Sequence, residues 1–233
     1  PRPVRCAMVL AAGRGERTRP PSDQTSKPLL PVHGKPMHVW HLEALARAGV
    51  ERVVVNTAWL EEQIPAALGD GSRWGLTIHY SMEGRDHGGA LETAGGIAKA
   101  LPWLDDCFWL VSGDIHAPDF PYDAARAAAF ATQSASLAHL WLVPNPDFHP
   151  AGDFGIGTDG LALNDAGPDG RRWTYANFAL MRKALCAGVP AGQKAALGPL
   201  LKAAIRDRQI GAEVYAGAWH NIGTPAQLAA LDG

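Results

Sequence analysis

Residues 4–10 form a short apolar run that meets Ala11, Ala12, Gly13 and Gly15 at once, the pattern of a buried strand feeding a glycine loop. Apolar positions then recur at Met37, Trp40, Leu45 and Ala48 and stop at Gly49, which predicts an amphipathic helix over 36–48 with a glycine at its C-terminus. The Val-rich stretch 52–57 reads as a strand, 60–68 as a helix, 76–80 as a strand, 92–101 as a helix and 107–111 as another apolar strand. Strand and helix alternate throughout. Such alternation predicts an α/β fold, a Rossmann-like, mostly parallel mixed sheet flanked by helices, with ligands bound beyond the carboxyl ends of the strands. Gly13 and Asp114 both fall at such ends.

After Asp114 the rhythm loosens. A helix is expected over 124–131, a strand over 136–143, and loops with short strands over 145–170, where Gly, Pro, Asp and Asn crowd. Strands over 173–181 and 210–215 enclose an Ala-rich helix over 195–208, and a helix over 224–231 ends the chain, with Thr224 and Pro225 as its N-cap and first residue. With no linker or repeat in view, residues 1–233 are expected to form a single domain.

Composition removes several function classes. Lys plus Arg number 21 against 23 Asp plus Glu, so no basic field exists to hold a nucleic acid. No apolar run reaches the roughly 18 residues of a membrane span, and the first residues lack the apolar stretch of a signal peptide. Cys6, Cys107 and Cys186 are odd in number and show no CxxC spacing, so a reducing, cytoplasmic setting is expected. The nine histidines show no HxxxH or HExxH spacing, which argues against zinc.

Candidate chemistry gathers at the strand ends. In Leu10-Ala11-Ala12-Gly13-Arg14-Gly15-Glu16-Arg17 the glycines let backbone N–H groups approach a triphosphate, while Arg17 and Lys27 bring permanent cations to it. A dinucleotide-binding loop would want a third glycine at Arg17 and a helix opening directly from the loop, which Pro20 and Pro21 oppose. A P-loop is excluded, because no GxxxxGK[ST] occurs. Asp114 suits Mg²⁺, which takes one or two carboxylates and completes its shell with phosphate oxygens and waters. Glu83, on the loop after a strand, and the small residues around Thr93, Ala94 and Gly95 leave room for a planar base.

Together these stretches resemble the sugar-1-phosphate nucleotidyltransferase family. The signature reads LAAGRGERTRPPSDQTSKPLLPVHGKPM over 10–37, followed in family order by GDGSRWGL at 69–76, YSMEG at 80–84, LETAGGI at 91–97, LVSGD at 110–114 and WHNIGTPAQL at 219–228. The LETAGGI form and short length are most similar to the branch that uses UTP and N-acetylmuramate 1-phosphate in cell-wall recycling, with mannose-1-phosphate guanylyltransferase-like proteins close behind. The resemblance implies a nucleoside triphosphate and a sugar 1-phosphate as partners, a nucleotide-binding half over 1–120 and a sugar-phosphate-binding half over 121–233. It implies nucleotide contacts at Leu10 to Gly13, Gly15, Glu83, Thr93, Ala94 and Gly95, and catalytic roles for Arg17, Lys27 and Asp114. Asp153, Tyr175 and Asn177 are implied for the sugar pocket, and Mg²⁺ at Asp114 and Asn221.

Two departures stand out. Asn221 occupies a place where the family usually carries a second Asp, so it offers an amide oxygen but no charge. Ser26 replaces a frequent Pro before the lysine, a change expected to loosen the loop. Two rival readings remain: a nucleotide-binding or regulatory module that lost transfer through Asn221, and an NAD-binding domain, which Arg17 opposes.

Overall fold

The computed structural model describes residues 3–232. Its first half is the expected alternation: β1 (Cys6–Leu10), α1 (Pro21–Gln24), a hairpin of β2 (Pro31–Val32) and β3 (Lys35–Pro36), α2 (Met37–Arg47), β4 (Arg52–Thr57), α3 (Gln63–Leu68), β5 (Thr77–Met82), α4 (Glu83–His87), α5 (Glu92–Ala100) and β6 (Cys107–Ser112). The second half holds β7 (Ile115–His116), α6 (Ala124–Thr132), β8 (Ala138–Val143), β9 (Gly155–Ile156), β10 (Ala162–Leu163), β11 (Thr174–Arg182), α7 (Leu197–Arg206), β12 (Ile210–Val214), β13 (His220–Asn221) and α8 (Pro225–Asp232). Thr224 caps the last helix as its sequence suggests, its hydroxyl accepting from Gln227 N at 3.2 Å.

Seven strands form one sheet in the order β12-β8-β11-β6-β1-β4-β5. All pair in parallel except β11, which runs against both β6 and β8. The central strands read as unbroken apolar runs because both of their faces are covered. Along β1, Ala7 and Val9 enter a core shared with Leu42, Leu45 and Ile64 of α2 and α3, while Cys6 and Met8 enter a second one with Ile97 of α5 and Leu201 and Ile205 of α7. No helix among the described residues is long and apolar enough to cross a membrane.

Candidate active site

The glycine loop and Asp114 leave the sheet side by side. Leu10, the last residue of β1, pairs with Ser112, the last of β6, and Gly113 N donates to Leu10 O at 2.9 Å. Past these ends opens a cavity of about 570 Å³, bounded by the glycine loop, α5, α7 and β11. Of the residues singled out by sequence, Leu10, Ala11, Ala12, Gly13, Lys27, Thr93, Asp114, Asp153, Tyr175 and Asn177 line it. A Cβ built at Gly13 would meet nothing within 4 Å, so the backbone there faces open space.

Lys27 lies under the loop, its ammonium 3.1 Å from Asp114 Oδ1; the lysine side chain is 8% exposed and the carboxylate 49%. Lys27 and Asp114 thus form an ion pair in the cavity wall, and Asp153 and Glu92 add two further carboxylates to the lining. The donors at this wall fit the implied Mg²⁺. One half-exposed carboxylate facing a polyphosphate-sized cavity is what a hard cation with phosphate and water ligands requires. No group of three or more His, Cys, Asp or Glu among the described residues could hold a metal ion by itself. Asn221 is less well placed: it does not line the cavity, although it follows Asp114 closely through β13, where Ile222 N donates to Asp114 O at 2.8 Å.

Glu83 departs from its expected place at the base. It is fully buried at the start of α4, where Oε2 accepts from Asn56 Nδ2 at 2.8 Å and Oε1 from Leu91 N at 2.9 Å. Burial raises its carboxyl above the usual range, while these two hydrogen bonds pull it back. Asn56 in turn accepts from Ala11 N at 2.9 Å, so Glu83 acts on the glycine loop through Asn56 without touching the cavity. Nothing in the sequence distinguished Asn56 from any other strand-end residue. Ala94 and Gly95 also miss the cavity. Ala94 is a core residue, and Gly95 receives the chain at 193–195 so closely that a Cβ would lie 2.5 Å from Gln193 O. That approach carries Ala196, Leu197 and Gly198 to the cavity wall, alongside Glu92, none of which sequence reading assigned to the site.

Gly15 supports the loop rather than lining the cavity. With φ at +74° its carbonyl accepts from Thr18 Oγ1 at 2.8 Å and Ser22 Oγ at 2.6 Å, and a Cβ there would clash with Thr18. Arg17 is exposed beyond the cavity lining, its guanidinium packed against Gly223. Ser26 contradicts the expected loosening: it is buried, and its N–H donates to Gln63 Oε1 at 2.8 Å, a bond proline lacks.

At the far wall, Asp153 is fixed at both oxygens. Oδ2 accepts from Tyr175 N at 2.8 Å and Oδ1 meets His149 Nε2 at 2.9 Å. Asn177 sits where β11 slips register against β8, with φ at +63°, a left-handed conformation that Asn tolerates better than most residues.

Behind Asp114, α2 presses two buried histidines against the turn out of β6. Among the described residues neither ring nitrogen of His38 has a hydrogen-bond partner, and burial pushes its pKa down to about 3; His41 falls to about 4, also by burial, with hydrogen bonds to the Gly113 and Ile115 backbone opposing. Both folded-state values lie below the unfolded 6.5, so the unfolded chain binds more protons and stability falls as pH drops below about 6.5. Each pH unit between there and about 4 should remove about 1.4 kcal/mol per histidine. Melting temperature measured against pH should show this slope, and His38→Leu should shrink it.

A family model described as Nucleotidyl transferase matches residues 6–158, the span that carries the glycine loop, Lys27, Asn56 and Asp114. The chain belongs to that family. Among relatives of this transferase, N-acetylmuramate alpha-1-phosphate uridylyltransferase of Neisseria meningitidis serogroup B is 43% identical over 95% of the chain and 94% of its own length. The protein of the same name from Caulobacter vibrioides is 30% identical over 96% and 94%. The fold of the transferase recurs in the inositol-1-phosphate CTP transferase of T. maritima, with a TM-score of 0.73 at 19% identity, covering 97% of this chain and 92% of that one. HddC from Yersinia pseudotuberculosis gives 0.73 at 18% identity, covering 98% of each chain.

Proposed function

We propose that this transferase moves a uridylyl group from UTP to N-acetylmuramate 1-phosphate and releases pyrophosphate, in the cytoplasm, as a step of cell-wall recycling. The observation that carries the reading is the convergence of Gly13, Lys27 and Asp114 on one cavity in a chain alike over nearly its whole length to a uridylyltransferase with that sugar phosphate in its name. Two phosphorylated substrates repel each other, so catalysis here is chiefly positioning and charge relief.

The sugar phosphate oxygen attacks the α-phosphorus of the triphosphate in line with the departing pyrophosphate. A new P–O bond forms as the α–β bridging P–O bond breaks, and no protein nucleophile intervenes. Backbone N–H groups around Gly13 bind phosphate oxygens, and Lys27 leaves Asp114 to neutralise the reacting phosphates. Arg17, which carries no hydrogen bond or ion pair among the described residues, is free to swing onto the outer phosphates. A divalent cation such as Mg²⁺, held by Asp114 with Asn221 in reserve, would supply further charge neutralisation. Asp153, Tyr175 and Asn177 form the sugar side of the cavity.

Pyrophosphate release, screened with the four ribonucleoside triphosphates against N-acetylmuramate, glucose and mannose 1-phosphates, tests this directly. UTP with N-acetylmuramate 1-phosphate should give the largest kcat/KM. A preference for GTP with mannose 1-phosphate would replace the substrate assignment, and triphosphate binding without product would point to a regulatory module.

A further inference from the structure

The glycine motif contains two arginines, and they have opposite environments. Arg17 has no polar partner among the described residues. Arg14 is fully engaged: Nη2 contacts Asp23 Oδ1 at 2.7 Å, Nη1 donates to Ser22 O at 3.3 Å, and the guanidinium lies 3.7 Å over the Trp59 ring. Trp59 Nε1 donates to the same Ser22 carbonyl at 2.9 Å, while Ser22 Oγ donates back to Gly15 O. The ring of contacts thus closes on the glycine loop itself.

Four residues beyond Trp59, Gln63 holds the other end of the segment. Its Oε1 accepts from Ser26 N and its Nε2 donates to Gln24 O, both at 2.8 Å. Ser26 directly precedes Lys27, so this bond sets where the lysine stem begins. Together with Asn56, which accepts from Ala11 N, the end of β4, the turn after it and the first residue of α3 pin the signature segment at three points.

We infer that Trp59, Gln63 and Arg14 form a clamp that preorganises the glycine loop for the triphosphate, with Arg14 a positioning residue and not a phosphate ligand. The inference rests on the cavity's reading as a nucleotide site. A loop already ordered spends less of its binding energy on ordering when the ligand arrives, so losing the clamp should weaken triphosphate binding selectively. Ser26 belongs to the same device, since proline at that position could not donate to Gln63.

The test compares wild type with Trp59→Ala, Trp59→Phe, Gln63→Ala, Arg14→Lys, Arg14→Ala and the Arg14→Ala, Trp59→Ala double variant. Readouts are KM for each substrate, calorimetric Kd for UTP, and melting temperature. Trp59→Ala and Gln63→Ala should raise UTP KM and Kd about tenfold and leave the sugar phosphate KM within about twofold. Trp59→Phe, which keeps a ring under the guanidinium, should recover most of the loss. Arg14→Lys keeps the charge but loses the planar stack and should behave like Trp59→Ala. The Arg14→Ala and Trp59→Ala effects should be strongly non-additive. Unchanged UTP binding in Trp59→Ala beside a large loss in Arg14→Ala would make Arg14 a ligand and overturn the clamp. Equal rises in both KM values with a large fall in melting temperature would overturn it too, as general destabilisation. Wild type that binds UTP but releases no pyrophosphate would fail the functional proposal instead, while the calorimetric comparison would still decide on the clamp.

Discussion

Lys27→Ala should lower kcat by at least about a hundredfold while the protein remains folded. Among the described residues Lys27 is the Lys or Arg that lines the cavity, with its ammonium 3.1 Å from the Asp114 carboxylate. Its removal takes a fixed positive charge from the place where two anionic substrates must meet, an effect concentrated in the transition state. The fold should tolerate the change, because Asp114 is half exposed and water can solvate the carboxylate that loses its partner. Pyrophosphate release and a thermal melt on the same preparation separate the two outcomes. A variant with near-normal turnover would remove Lys27 from the mechanism.

Glu83→Gln should be the most damaging near-isosteric change in the chain, costing about 2–4 kcal/mol of stability and misplacing the glycine loop. The carboxylate accepts from two donors, Asn56 Nδ2 and Leu91 N. A glutamine offers one acceptor and one donor, so one of those buried N–H groups would face another N–H. An Asn56 flip would relieve that conflict only by turning its Nδ2 toward Ala11 N, which Asn56 Oδ1 now receives. Space offers no escape, since a Cβ at Gly96 would already lie 2.9 Å from Glu83 Oε2 and from Asn56 Nδ2. Urea titration should give the stability loss, and the UTP KM should rise with it. Wild-type stability in Glu83→Gln would mean that the relay from Glu83 to Ala11 carries little energy.

Part of this site is legible in the sequence. The run into Gly13 and the strand ending at Asp114 identified two carboxyl-terminal strand ends, and parallel pairing of β1 with β6 makes those ends neighbours. Local periodicity also gave α2, α5 and α7 to within a few residues of their observed limits. The four-residue α1, the short α4 and the two-residue strands escaped, because so few residues carry no period to read. The bulge that turns Asn177 toward the cavity wall depends on a register slip between β11 and β8, which neither strand encodes alone.

The expected base-pocket residues that do not line the cavity share a feature. Glu83, Ala94 and Gly95 have the residue types of a base pocket, yet each is occupied with packing: Glu83 with Asn56, Ala94 with the core and Gly95 with the chain at 193–195. Ser26, in a place where proline is frequent, has an N–H whose partner lies 37 residues away.

The sequence by itself determined which elements form and which residue types stand at their ends, because hydrophobic period and turn chemistry act over a few residues. Only the tertiary structure decided which of those polar groups remain free. A carboxylate or amide bonded to a distant partner has its hydrogen-bonding capacity taken up, and the hydrogen-bond partners of Glu83, Arg14 and Ser26 lie 8 to 37 residues away along the chain. Lys27 and Asp114 stay available because, among the described residues, their side chains pair only with each other, beside a cavity large enough for a ligand to separate them.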